Sequence, residues 1–167
     1  FIKNTFVTFV VKTLYRMAMA KSLHVFFQNQ EDRFLFQKLN LVSLEKTSVL
    51  PGSGINIKSF APSVVSNDSS ALSPRFLMIS RLLVEKGVKE FAEAAKHIRE
   101  TLPHVVFQLL GPVELYNPSR IKHSLLDKWV QNNVLEYLGQ AQDVRPYIEA
   151  ANCIVLPSYR EGLPRVL

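Results

Sequence analysis

R-F-L-M-I-S-R-L-L-V-E-K-G-V-K-E-F, residues 75–91, is the stretch on which the fold turns. Its apolar run, Phe76 to Ile79, contains no charge and stops at Ser80-Arg81. A strand covered on both faces of a parallel sheet reads this way. After a short polar interval, Val88, Phe91, Ala95, Ile98 and Leu102 recur at spacings of three and four. That spacing predicts a helix over 88–102 with these residues on its inner face.

The same alternation continues downstream. A strand is expected over 105–110, closing at Gly111-Pro112. A helix follows over 118–130, with Asn117 as cap, Pro118 at the first position and Ile121, Leu125, Leu126, Trp129 and Val130 inside. A strand over 134–138 ends at Gly139. A helix over 144–151, capped by Asp143, leads to a strand over 153–156. Short strands alternating with helices specify an α/β fold, a Rossmann-like parallel sheet with flanking helices. Right-handed crossovers bring the carboxyl ends of the strands to one edge. The polar loops beginning at Ser80, Gly111, Gly139 and Pro157 therefore converge there, where open α/β sheets bind ligands.

Upstream, residues 61–74 (A-P-S-V-V-S-N-D-S-S-A-L-S-P) are rich in Ser and Pro and read as a linker. Before it, residues 4–22 carry Phe6, Val7, Val10, Leu14, Met17 and Ala18 at helical spacing, with Lys12, Arg16 and Lys21 largely off the stripe. Such a helix packs on a sheet or lies on a membrane surface. His24 to Asn29 read as a strand. Asn29 with Glu31-Asp32 marks a helix start that turns Phe34, Leu35 and Leu39 inward. Ser48-Val49-Leu50 is a short strand, and Pro51-Gly52-Ser53-Gly54 a flexible turn.

Composition narrows the function classes. Of 167 residues, 47% are hydrophobic and 20% charged, an ordinary globular balance. The net charge of +6 is uneven. Residues 1–60 hold eight basic residues against three acids, and residues 61–167 twelve against eleven. A basic first segment suits a phosphorylated substrate, an anionic membrane or nucleic acid, or is a solvated face. No nucleic-acid motif accompanies it. No apolar run approaches the roughly 20 residues of a spanning helix. The single cysteine, Cys153, lies in an apolar run and is expected to be a buried, inert thiol. His24, His97, His104 and His123 form no metal-ligand spacing, so no protein-built metal site is expected. The chain opens on Phe1 and stops one turn into a helix start, and is read as a piece of a longer protein.

Two loops carry candidate chemistry. Arg81 and Lys86 lie in the loop between a strand and a helix, with Gly87 just before the helix, and two cations beside a helix N-terminus make an anion site for phosphate or diphosphate. The loop is neither a Walker sequence nor a G-x-G-x-x-G, and a solvated basic loop is the alternative. Glu161, beside Gly162, suits hydrogen bonding to sugar hydroxyls or acid–base work, or is plain surface.

These segments together resemble retaining glycosyltransferases of family 4, which have the GT-B fold. F-L-M-I-S-R-L-L-V-E-K-G-V-K-E-F (76–91) is similar to their G-R-x(4)-K-G segment, with Ser80 in place of the glycine. V-L-E-Y-L-G-Q-A-Q-D-V (134–144) is similar to the next strand and loop. Y-I-E-A-A-N-C-I-V-L-P-S-Y-R-E-G-L-P-R-V-L (147–167) resembles the stretch that opens their E-x7-E motif. F-F-Q-N-Q-E-D and V-L-P-G-S-G-I-N-I-K-S-F-A-P look like the end of the N-terminal domain and the crossing into the second.

The resemblance implies an acceptor-side domain ending within 1–60, a linker over 61–74 and a truncated donor-binding domain over 75–167. It implies a hexosyl-type transfer from a nucleotide-sugar donor to a glycan or lipid-linked acceptor in polysaccharide or surface-glycan synthesis. Arg81 and Lys86 would hold the donor diphosphate. Glu161 would be the catalytic-motif glutamate on the donor sugar, with Gly162, Leu163 and Pro164 lining that site. Gly139, Ala141 and Asp143 would frame the nucleobase and ribose. No metal or other cofactor and no nucleic acid is implied. The setting would be cytoplasmic, with peripheral contact at the inner face of the membrane. The second glutamate of the motif would fall beyond Leu167, so this chain alone is expected to bind donor weakly and not turn over. A GT-B sugar-nucleotide epimerase and a non-catalytic nucleotide-binding module are the alternatives.

Overall fold

The computed structural model describes residues 5–50, 52, 54–60, 73–164 and 166. They gather into two compact units. The first comprises the described residues up to 55 together with 162–164; the second comprises 56–161 and 166. Most of the stretch read as a linker lies outside the described residues, as do Pro51 and Ser53 of the flexible turn.

In the first unit, α1 (Thr5–Ala20) runs without Gly or Pro. It ends where the Ser22 hydroxyl donates to the Ala18 carbonyl at 3.1 Å. Strands β1 (Val25–Phe27) and β2 (Thr47–Val49) pair in parallel, Val25 opposite Thr47. Helix α2 (Gln30–Lys38) connects them. Asn29 caps it as expected, its Oδ1 accepting the Asp32 N–H at 2.7 Å. Thr47 is the buried polar residue of this unit. Its hydroxyl donates to the Leu44 carbonyl at 2.7 Å and accepts from Arg33 Nε at 2.9 Å, which satisfies it.

Two expectations fail in this unit. The apolar stripe of α1 does not pack on a sheet: Phe6, Val7, Val10, Leu14 and Met17 are all exposed. In α2, Phe34 faces outward, and Phe36 turns in instead. Phe36 meets Phe27 edge-on with centroids 5.2 Å apart, and Tyr15 at the same distance. The Asn29 cap sets the helix phase, and two residues along that phase carry a side chain from the outer face to the inner one.

The second unit holds four parallel strands: β3 (Arg75–Ile79), β4 (Val106–Leu110), β5 (Glu136–Tyr137) and β6 (Cys153–Ile154). Their order is β5-β4-β3-β6. The chain moves outward from β3 through β4 to β5, then returns to the other side of β3. The strand order therefore reverses between β3 and β6, which makes that gap the topological switch point of the sheet. Leu77 and Met78 of β3 and Leu109 and Leu110 of β4 are fully buried.

Helix α3 (Val88–Thr101) buries Val88, Phe91, Ala92 and Ala95 in one cluster with Met78 and Leu109. Phe91 meets Phe107 edge-on at 5.6 Å, and Phe107 stacks on Phe76 at 5.2 Å. Helices α4 (His123–Gln131) and α5 (Arg145–Ala150) complete the unit.

The structure corrects five expectations here. The helix read over 118–130 begins at His123. Asn117 accepts the Ser119 N–H at 2.9 Å and so closes a local turn. The chain then runs extended past 82–84, with Ile121 N–H donating to Leu82 and Val84 N–H to Ser119. Ile121 is buried by that pairing rather than by a helix face. Leu102 lies one residue beyond α3 and Val130 on the outer side of α4, and both are exposed. Cys153 is exposed, because its side chain points to a face of the two-residue strand β6 that is open to solvent at that position.

Candidate functional site

The loops after β3 and β6 meet at the switch point. Residues Val84–Lys86 form a single 3₁₀ turn, and Gly87 follows with φ +77°. Any side chain at Gly87 would be strained and would place its Cβ 2.2 Å from the Pro157 carbonyl oxygen. Glycine thus allows the Lys86 loop to lie directly on the loop after β6. Two further ties hold them. The Tyr159 N–H donates to the Glu85 carbonyl at 3.0 Å, and the Tyr159 hydroxyl donates to the Glu90 carboxylate.

The two loops close on an ion pair. Lys86 Nζ donates to Glu161 Oε1 at 2.6 Å, across 75 positions of sequence. Both side chains are largely shielded, at 20% and 24% exposure. Burial alone would raise the Glu161 carboxyl; hydrogen bonds from Lys86 and Ser158 and the charges of Lys86 and Arg81 outweigh it and hold it below its ordinary value. The Ser158 hydroxyl also lies 3.5 Å from the Lys86 carbonyl. At that distance the carbonyl is a weak acceptor, and the carboxylate is the stronger one for its single proton.

Arg81 reaches the same region from the end of β3. Its Nη1 pairs with Glu114 Oε1 at 3.7 Å, with the arginine side chain 55% exposed. Glu114 follows β4, whose end is closely packed on β3: a Cβ on Gly111 would stand 1.8 Å from the Ser80 carbonyl oxygen. The Gly111 N–H in turn donates to the Gly139 carbonyl at 2.7 Å. The Gly139–Ala141–Asp143 loop is thereby fixed to the neighbouring strand end. Asp143 is engaged by Arg145, whose Nε and Nη2 each donate to it at 2.8 Å. This pair holds the Asp143 carboxyl down at about 2. Asp143 also accepts the Arg145 backbone N–H at 3.0 Å, which closes a local turn; the helix cap expected of it falls instead on Val144, which makes no side-chain capping bond.

The expected residues thus divide. Arg81, Lys86 and Glu161 come together at the switch point. Gly139, Ala141 and Asp143 lie on the loop at the end of β5. Gly162, Leu163 and Pro164 group with the first unit, where the Gly162 carbonyl accepts from Asn29 Nδ2 at 3.1 Å. Sequence reasoning missed Glu114 as the partner of Arg81, and Ser158 and Tyr159 as supports of the glutamate loop. The two supports stand in the P-S-Y-R-E-G run; Glu114 carries no local signal. Among the described residues, no three His, Cys, Asp or Glu side chains assemble into a cluster able to hold a metal ion. Chemically, the arrangement offers two cations to an anion, and beside them a carboxylate kept ionised and able to accept hydroxyl protons.

A profile of the family described as "Glycosyl transferases group 1" matches residues 73–167. The chain is 31% identical over 171 residues to the N,N'-diacetylbacillosaminyl-diphospho-undecaprenol alpha-1,3-N-acetylgalactosaminyltransferase of Campylobacter jejuni, covering 97% of this chain and 43% of that protein. It is also 31% identical, with the same coverage, to the UDP-Gal:alpha-D-GlcNAc-diphosphoundecaprenol alpha-1,3-galactosyltransferase of Escherichia coli. Among solved structures it superposes on the sucrose-phosphate synthase of Thermosynechococcus elongatus with a TM-score of 0.73, at 17% identity, over 99% of this chain and 43% of that one. The Anabaena protein HepE, solved with UDP and glucose, gives 0.72 at 20% identity, over 93% and 44%. These structures share the GT-B fold with this chain. The chain spans less than half the length of the curated relatives it matches.

Proposed function

The chain belongs to the group 1 glycosyl transferases, and on that premise we propose that it is the donor-binding part of an enzyme that moves a hexosyl group from a nucleotide-sugar to a lipid-linked acceptor. The observation that carries this reading is the Lys86–Glu161 pair at the switch point, with Arg81 alongside. Lys86 and Arg81 neutralise the donor diphosphate and stabilise the nucleoside diphosphate as it leaves, with no metal required for that role. When the diphosphate takes Lys86, Glu161 is released to accept from the sugar hydroxyls. Gly139, Ala141 and Asp143 frame the nucleobase and ribose, and 162–164 line the sugar. The anomeric configuration is retained, as in the family 4 enzymes the sequence resembles. The names of the E. coli relative and of the HepE complex make a uridine diphosphate sugar the first donor class to test, and the two undecaprenyl-linked relatives make a polyprenyl-diphosphate glycan the first acceptor.

The proposed setting is the anionic inner face of a membrane. Helix α1 supports it. Its exposed Phe6, Phe9, Leu14 and Met17 lie among Lys12, Arg16 and Lys21, and no acid precedes Glu31. Among the described residues no helix is long and apolar enough to cross a membrane. Co-sedimentation with anionic but not neutral vesicles is the expected result, and equal recovery with both refutes this part.

Calorimetric titration with UDP and UDP-hexoses tests the donor site. Binding that is lost in the Arg81→Ala, Lys86→Ala double variant is expected; unchanged binding refutes the assignment. In a longer protein containing this chain, a radiolabelled hexose should appear on a polyprenyl-diphosphate acceptor, with NMR reporting the anomeric configuration of the product. Interconversion of the free UDP-sugars without transfer would overturn the reading.

A further inference from the structure

Tyr159 stands two positions before Glu161, on the loop that leaves β6. Strand β6 is two residues long. Among the described residues, the last bond from this segment to the sheet is the Val155 N–H to the Leu77 carbonyl, at 2.9 Å. Beyond it no strand pairing holds the loop. Tyr159 ties the loop twice to the segment that carries Lys86. Its N–H donates to the carbonyl of Glu85, the residue before Lys86, at 3.0 Å. Its hydroxyl donates to the carboxylate of Glu90, in the first turn of α3. Tyr159, Glu85, Lys86, Glu90 and Glu161 all belong to the second unit.

Burial does not account for this side chain. Tyr159 is 67% exposed, so its ring removes little apolar surface from water, and the hydroxyl makes the contact. The helix does not account for it either: a carboxylate in the first turn of α3 is favourable without a tyrosine. The bond between the two is the first cause that holds the Glu90 carboxyl below its ordinary value and the Tyr159 hydroxyl above its own. We propose that Tyr159 is a positioning residue for Glu161: anchored on Glu90, it keeps the loop where the Glu161 carboxylate meets Lys86, so that the acceptor for the donor sugar is in place before the donor arrives. The charges of Lys86 and Arg81 and the hydroxyl of Ser158 all act on Glu161, and each depends on where the loop sits. Groups fixed beforehand bind with less ordering cost than groups that must first be fixed. The bearing of this inference on the sugar rests on the donor-site reading above.

The test follows the titration of Glu161 by NMR of its carboxyl carbon, without ligand, in Tyr159→Phe, Glu90→Ala and Glu90→Gln. Tyr159→Phe keeps the ring and removes the donor, so Glu161 should loosen from Lys86 and titrate higher, toward its ordinary 4.5. Glu90→Ala removes the acceptor and should act in the same direction. Glu90→Gln keeps an acceptor oxygen and should leave the titration where it is or lower it. The sign separates anchoring from charge, because loss of the Glu90 charge acting through space would lower the titration in both Glu90 variants. Combining Tyr159→Phe with Glu90→Ala should move it no further than either change alone. Calorimetry with UDP and a UDP-hexose runs alongside, and Tyr159→Phe should cut the affinity added by the hexose about threefold, the worth of one exposed hydrogen bond. An unmoved Glu161 titration in Tyr159→Phe overturns the inference, even where thermal stability falls, since that marks a purely structural tie. Additive shifts in the double variant overturn it too. Failure of the unmodified chain to bind UDP, with Glu161 still moved by Tyr159→Phe, would instead sink the donor-site reading.

Discussion

Replacing Glu161 by glutamine should tighten the binding of a nucleoside diphosphate while weakening the contribution of the sugar. In the unliganded chain Lys86 is already committed, 2.6 Å from a carboxylate held ionised. A phosphate that takes Lys86 must displace that carboxylate and then sit beside it. With the phosphate about 5.5 Å from Glu161, an effective dielectric of about 20 gives a repulsion of about 3 kcal/mol per charge. Both side chains are about a fifth exposed, and solvent screening leaves about 1–2 kcal/mol. Glutamine keeps the shape and an acceptor for Ser158 but removes the charge. UDP affinity should therefore rise about 5- to 30-fold. The affinity added by a hexose should drop about tenfold, because a neutral amide is the weaker acceptor for sugar hydroxyls. Calorimetry at low and moderate salt measures both, and the gain for UDP should shrink as salt rises. Unchanged or weaker UDP binding would refute the idea that Lys86 exchanges one anion for another.

Three further outcomes test the frame around the site. Gly87→Ala should lower stability by about 1–3 kcal/mol or more in chemical denaturation, since its φ of +77° and the Pro157 carbonyl both exclude a side chain. Ile121→Ala should cost about 2–5 kcal/mol in the same assay although Ile121 lies outside any helix, because its burial is complete. Asp143 has a folded-state value of about 2 against an ordinary 3.8, so its contribution is present above pH 3.8 and lost as pH falls toward 2; Asp143→Asn should flatten that part of an acid-unfolding curve followed by circular dichroism.

The sheet was legible because its strands fall in short, mostly apolar runs closed by a turn signal, and α3 because its inner face is regular. Lys86 and Glu161 were legible as candidates, but not as a pair, since nothing local links positions 75 residues apart. The misreadings have physical causes. Asn117-Pro118 carries the signature of a helix start, yet the asparagine spends its oxygen on Ser119 and the chain first runs extended to bury Ile121. The α1 stripe has helical spacing, and spacing alone does not say what lies opposite. Cys153 sits in an apolar run, but an apolar run does not say that both faces of its strand are covered, and Cys153 faces solvent. Asn29 announced its cap and gave no sign of its hold on Gly162.

The return of the chain to β3 also sets the order in which the protein can become competent. Contacts between β3 and α3 span few residues and close early, whereas the Lys86–Glu161 contact closes a loop of 75. It requires β6 to pair with β3, the strand to which the chain returns. The proposed donor site is in that sense the last part of this sheet to close. Nucleotide that binds only the finished arrangement stabilises the whole sheet by mass action, so a melting curve taken with and without UDP reads the site and the fold as one transition.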